Sequence, residues 1–358
     1  MAKVGDHVTP DSFICGRDVS HLKLGRVGLS SLIEPSAAGR CLSPVGSVGW
    51  LATMTEVANR FTCFGGGCVV IVDGDGPAGT AEEAMTAATG QLLAWHAQFS
   101  RFTSESELTR MNGDPRERLP VSPMMATFLA AVIDAAGVTG GLVDATMLDE
   151  IEEVGYKQDR LRASLALPLA LALAPPRRRG GPGPGERWRE IAVDHDAGEV
   201  TRPPGLHVDG GGIVKGLCAD LIGEMLGEHD GYVVDCEGDL RIGGAAGRDR
   251  IFEVTGPFDG SVLHEFVLTD GGIATSSITK RSWLDRGRPA HHVLDPATGQ
   301  PAYTGVVQVT ALAPTALEGE ALAKAALLSG PEGAEAWLPH GGVIVFDDLT
   351  HAVIEPTA

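Results

Sequence analysis

Downstream of residue 60 the chain alternates between short β-branched runs and longer stretches of helical spacing. Cys68–Val72 reads CVVIV, with glycines before it and DGDG after it, which predicts a strand. TAEEAMTAATGQLLAWHAQFSRF predicts a helix with Thr80 at its N-cap and acidic residues in the first turn. SPMMATFLAAVIDAAGVTGG predicts another, capped by Ser122, with Pro123 at its first position and Gly140-Gly141 as its stop. WREIAVDHDAGEVTRPPGLHVD has the pattern of a hairpin around DHDAGE, and GYVVDCEGDLRIGG that of strand, turn, strand. KGLCADLIGEML places Leu217, Leu221, Ile222 and Met225 on one helical face. In PTALEGEALAKAALLSGPEG, Thr315 and Glu318 form a capping box, and Gly330-Pro331 ends the helix. Strands and helices occur in both halves without strict βαβ alternation, so an α+β fold is expected rather than a doubly wound one.

Residues 1–55 are mixed and show no sustained period, so they are expected to form a poorly structured extension to one domain spanning 56–358. PPRRRGGPGPGE, from Pro175 to Glu186, is a loop, either between two structured regions or as an exposed insertion in one. The most apolar stretch, ASLALPLALALAPP, is short and holds a proline, well below the roughly 20 apolar residues of a membrane span. With no signal-peptide-like apolar run near Met1, a cytoplasmic location is expected. The chain has 358 residues, 43% of them apolar, and a formal charge of -19. That acidity argues against nucleic-acid partners and anionic membranes, and any bound anion must be held by local groups. Six cysteines, at 15, 41, 63, 68, 218 and 236, form no CxxC pair and read as buried reduced thiols.

The stretch HVDGGGIVKG, His207–Gly216, stands between an extended segment and a helix. It fails as a phosphate loop, because Lys215 is not preceded by glycine and followed by Ser or Thr. It fails as a dinucleotide fingerprint, because its glycines are contiguous. Two readings remain open. Glycines at a helix N-terminus admit an anion close to backbone N–H groups, with Lys215 as a point charge for phosphate. Alternatively, this is a tight turn with a surface lysine.

Read together, several stretches resemble the ApbE-like FAD:protein FMN transferase family. HVDGGGIVKG is similar to its D-L-G-G-I-A-K-G, and CEGDLRIGG to its G-G-D-I-R segment. ATSS, HHVLDPATGQP and VTALAPTALEGEALAKAALLSG follow in the family's order, after SRFTSESELTRMN and TGGLVDATM upstream. The resemblance implies an ApbE-like fold of mixed or antiparallel sheets with packed helices. It also implies transfer of FMN from FAD to a threonine or serine of a client flavoprotein, with release of AMP and use of Mg²⁺. Asp209 then contacts FAD, and Lys215 lies near its phosphates. Phe102 and Val293 fall on flavin-contacting positions. Leu142, Val143 and Asp144 fall on the turn that binds adenine or ribose. Phe64 replaces the methionine of M-G-T, which alters the contact there. His292 is a candidate acceptor of the client hydroxyl's proton. Each has a plainer reading: core aromatics for Phe64 and Phe102, a turn cap for Asp144, a hydrogen-bonded histidine for His292.

The implied metal site departs from the pattern. Gly212 would offer its carbonyl to Mg²⁺, and the family's aspartate and threonine fall on Glu320 and Lys324, which share a helical face. Three arrangements are open. Lys324 turns away while Glu320 holds Mg²⁺ with waters; Lys324 replaces the metal; or the two form an exposed salt bridge and the site is lost. Glu237 also stands where the family has glycine. Two other activities remain open, an FAD pyrophosphatase giving FMN and AMP, and a non-catalytic FAD-binding protein.

Overall fold

The computed structural model describes residues 56–158 and 165–357, together with the two-residue strand Leu29–Ser30. Leu29–Ser30 pairs with the strand Arg250–Thr255. The rest of the expected N-terminal extension lies outside the described residues.

Eight strands make the central sheet: β1 (Val57–Cys63), β2 (Gly66–Asp73), β3 (Gly231–Cys236), β4 (Asp239–Gly243), β5 (Gly271–Ser277), β6 (Val306–Ala313), β7 (Gly342–Phe346) and β8 (His351–Ile354). Their spatial order is their chain order, and every neighbouring pair is antiparallel. The fold is thus α+β, with four long helices inserted between strands: α1 (Ala81–Phe99), α2 (Pro123–Val138), α3 (Val214–Leu226) and α4 (Ala316–Ser329). α1 lies against β1 and β2, α3 against β3 and β4, and α4 against β5 and β6. The period-2 alternation of a strand divides β2 between two cores. Cys68, Val70 and Val72 pack with α1, α2 and α3, whereas Val69 and Ile71 pack with Phe252, Val254 and the buried side of α4.

Several local signals act as expected. Thr80 and Glu83 form a reciprocal capping box, and Ser122 accepts from Met125 N with Pro123 in the first turn. Others differ. Thr315 accepts from Glu318 N, but the Glu318 carboxylate turns to His340 at 3.5 Å, so only half of the expected box forms. Met225 is 53% exposed, and the buried face of α3 runs instead through Cys218, Ile222 and Leu226. The Pro175–Glu186 loop is held against neighbouring elements. Gly180 N donates to Leu328 O at 2.8 Å and Gly181 N to Asp295 Oδ1 at 3.0 Å, which bind it to the body of the protein. Cys63, Cys68, Cys218 and Cys236 are buried, and none forms a disulfide among the described residues. Among the described residues no helix is long and apolar enough to cross a membrane.

α3 and α4 cap one another. Asp220 on α3 accepts from Ala316 N and Leu317 N, at 2.8 and 2.9 Å, the first donors of α4. Glu320 on α4 accepts from Gly216 N of α3 at 2.9 Å. These are the backbone donors that a helix cannot satisfy itself. The approach requires glycine: a Cβ on Gly216 would lie 2.7 Å from Ala316 O and from Leu317 Cα. Gly216→Ala, which by helix propensity alone would stabilise by up to about 1 kcal/mol, should therefore destabilise by about 1–3 kcal/mol through overpacking. Urea denaturation measures the sign; a stabilised variant would show that the two helices separate freely.

Candidate functional site

One cleft, about 1160 Å³ counting space open to solvent, gathers segments far apart in the chain. Its walls come from the turn between β1 and β2, the end of α1, the turn after α2, the glycine turn before α3, the connection from β5 to β6, and α4. Phe64, Phe102, Leu142, Val143, Asp144, Asp209, Gly212, Lys215, His292, Val293 and Lys324 all line it. Glu320 lies just behind Lys215, with its Oε1 3.8 Å from Lys215 Nζ.

The apolar wall is aromatic and aliphatic. Phe102 is 40% exposed, sits edge-on to Tyr156 with centroids 5.8 Å apart, and carries the Arg101 guanidinium 4.3 Å from its ring centre. Phe64 holds a left-handed backbone conformation, φ 50°, at the β1–β2 turn, which is uncommon for a bulky residue. Its N–H donates to His96 Nδ1 at 3.2 Å, and the two rings meet edge to face. Val293 is buried. Asp144 Oδ1 accepts from both Thr146 N and Oγ1, so it also performs the turn-capping role.

The polar wall is a set of buried charges. Lys215 Nζ lies 2.5 Å from Asp239 Oδ2, with the lysine side chain 12% exposed. Burial alone would pull its pKa down, but the carboxylates of Asp239, Glu320 and Glu237 outweigh burial and hold the ammonium charged. Burial, then Asp239, pushes the Glu320 carboxyl up to about 8, against the pull of Lys215 and Lys324. Asp209 is tied to Arg101 Nε at 3.1 Å and accepts weakly from Gly211 N. Of the N–H groups that the glycine turn was expected to offer an anion, those of Gly211 and Gly216 are therefore already met by carboxylates.

Glu237 does not intrude on the cleft. It is paired with Arg281 at 2.7 Å, and Lys280 Nζ donates to its carbonyl oxygen at 2.9 Å. Burial would raise its pKa, but Lys280, Arg281 and Lys215 keep it below its ordinary value. His292 lines the cleft with its Nδ1 buried and without a hydrogen-bond partner among the described residues. Burial, followed by Arg281, His291, Lys324 and Lys215, holds it neutral, well below the usual histidine range.

Sequence reading missed Arg101, Tyr156, Asp239 and Arg281. Arg101 and Asp239 stand inside stretches already singled out, SRF and CEGDLRIGG, yet nothing in the pattern tells an inward charge from an outward one. Tyr156 and Arg281 reach the cleft through tertiary packing alone.

An antiparallel eight-stranded sheet, four long helices and one deep cleft with buried charges define an α+β protein with a ligand-sized site. The ApbE protein of Thermotoga maritima superposes with a TM-score of 0.68 at 23% identity, over 84% of this chain and 97% of that one. The flavin transferase ApbE of Vibrio cholerae superposes with a TM-score of 0.64 at 19% identity, over 84% and 98%. The ApbE family model matches residues 67–346, and the chain belongs to the ApbE family. Among its relatives are the FAD:protein FMN transferases of Salmonella typhimurium, 27% identical over 74% of this chain and 77% of that one, and of Escherichia coli K12, 26% identical over 72% and 74%.

His291, buried beside the cleft-lining His292, gives the fold a pH signature. It is buried, it accepts from Val293 N at 3.3 Å, and burial lowers its pKa to about 3. An imidazole depressed in the folded state contributes stability that is complete above its unfolded pKa and is lost as pH falls through the window toward the folded value. Wild type should therefore lose stability relative to His291→Asn as pH drops from about 6.5 toward 3. Melting temperatures across that range check it; a constant gap between the two proteins would place the proton elsewhere.

Proposed function

We propose that this chain moves FMN from FAD to a threonine or serine hydroxyl of a client flavoprotein and releases AMP. The observation that carries the reading is that one cleft combines an aromatic and aliphatic wall with the ammonium groups of Lys215 and Lys324 beside a glycine turn. FAD has matching chemistry: two flat ring systems joined by a diphosphate with two negative charges. The names of the chain's relatives agree with this.

In this reading Phe64, Phe102 and Val293 contact the flavin, Leu142, Val143 and Asp144 hold the adenosine half, and Asp209 contacts FAD. Lys215 faces the diphosphate. The client oxygen attacks the phosphorus on the FMN side, the bond from that phosphorus to the oxygen of AMP breaks, and the hydroxyl proton passes to His292. Phosphoryl transfer of this kind depends on positioning and on neutralising charge at the phosphate oxygens.

The Mg²⁺ implied by the family resemblance meets a different donor set here. Among the described residues no group of three or more His, Cys, Asp or Glu side chains is placed to hold a metal. Asp239 is committed to Lys215, Glu320 to Gly216 N, and Asp209 to Arg101. Lys324 adds a cation where one would bind. These residues do not fit a divalent ion, and no step of the reaction is assigned to one.

Incubating the full chain with FAD and a client domain, with and without Mg²⁺, should yield a client heavier by FMN, read by mass spectrometry. Free FMN and AMP with an unmodified client would make it a pyrophosphatase; intact bound FAD would make it a binder. The same assay tests His292. Arg281, Lys324 and Lys215 help to depress its pKa, and the bound diphosphate offsets their charge. The acid limb of kcat, which reports the enzyme–substrate complex, should therefore lie at higher pH than that of kcat/KM, which reports the free enzyme. Coincident limbs would remove His292 from the diphosphate's field.

A further inference from the structure

We infer that the ammonium of Lys324 takes the place of a divalent cation at the diphosphate, so that FAD uptake by this chain does not require metal. The inference rests on the FMN-transfer reading and concerns how the same cleft neutralises its substrate.

Three observations carry it. Lys324 projects from α4 into the cleft, one turn beyond Glu320. A Cβ on Gly212 would fall 1.7 Å from Lys324 Nζ, so the ammonium occupies the volume that the missing side chain leaves. The glycine turn is thus shaped around a lysine tip. The surrounding charges complete the argument. Asp239 and Glu320 are drawn toward Lys215, and Asp209 toward Arg101, which leaves Lys324 facing the cleft rather than locked in a close ion pair of its own with them.

The substitution is chemically coherent. Mg²⁺ demands six oxygens in near-ideal octahedral geometry and sheds water reluctantly. An ammonium has three donors and no coordination number to satisfy, and it can bridge two phosphate oxygens. In their ammonium forms, Lys215 and Lys324 together carry the charge of one divalent ion. They deliver it on two helices that cap each other, so its position is set before the substrate arrives.

The test is a titration of FAD into the full chain, followed by calorimetry, after dialysis against EDTA and again with added Mg²⁺. The expected result is that Kd for wild type changes less than about twofold between the two conditions. In EDTA, Lys324→Met should weaken FAD binding by at least about tenfold, equivalent to about 1.4 kcal/mol. Gly212→Ala, which displaces the ammonium, should do the same. Lys324→Thr should bind weakly in EDTA and recover with Mg²⁺. Wild-type uptake that is tenfold tighter with Mg²⁺ overturns the inference and leaves the transferase reading standing. Unchanged affinity of Lys324→Met in EDTA also overturns it. Absence of FAD uptake under every condition overturns the transferase reading as well. Should a variant fail to fold, as judged by circular dichroism, the wild-type comparison decides the matter alone.

Discussion

The reciprocal capping of α3 and α4 is the constraint on which the cleft depends. Each helix lends a carboxylate to the other's first turn, Asp220 in one direction and Glu320 in the other. A backbone donor left without a partner in such a buried place would cost about 1–3 kcal/mol, so the pair is tightly determined. Lys215 stands in the first turn of one helix and Lys324 in the third turn of the other. Their spacing is therefore a property of the helix pair rather than of two flexible side chains. Gly216 makes this possible by allowing the helices to touch backbone to backbone.

Around that pair the protein buries an unusual density of charge for a chain so acidic overall. Lys215, Lys280, Arg281 and Lys324 lie close to Asp235, Glu237, Asp239 and Glu320. Burial draws Lys280 down to about 8 and pushes Asp235 up to about 7. The ions persist because they are partnered, as in Glu237 with Arg281 and Lys215 with Asp239. The net surface charge repels anions, while the interior offers them cations whose own counter-charges are set back from the opening. Such a gradient favours a ligand that can place its phosphates deep and its apolar rings outward.

Local rules made much of the scaffold legible. Caps at Thr80 and Ser122, the turn at Glu237-Gly238 and the β-branched run of β2 are decided by short-range geometry, and all are where the pattern puts them. The cleft lining was legible for a different reason, since ordered motifs carry information about contacts between distant segments. What neither source conveyed was direction. Met225 has helical spacing but faces solvent, because α3 is covered on the side of Cys218 and Leu226 instead. Glu318 turns to His340 rather than to its own helix cap because another element comes within reach. The orientation of Lys324 likewise depends on Gly212, more than a hundred residues earlier, and no periodicity links the two.

The sheet runs in simple succession, yet its cleft is assembled from residue 64 through residue 324. Between β2 and β3 alone the chain makes a long excursion that contains three of the four helices. Loops of such span are slow to close, and their contacts form late. During synthesis the early strands must wait for α4 to leave the ribosome before the binding surface is whole. A nascent chain still lacking its last fifty residues has five complete strands of the eight and is without α4, so it has neither Lys324 in the cleft nor the carboxylate that caps α3.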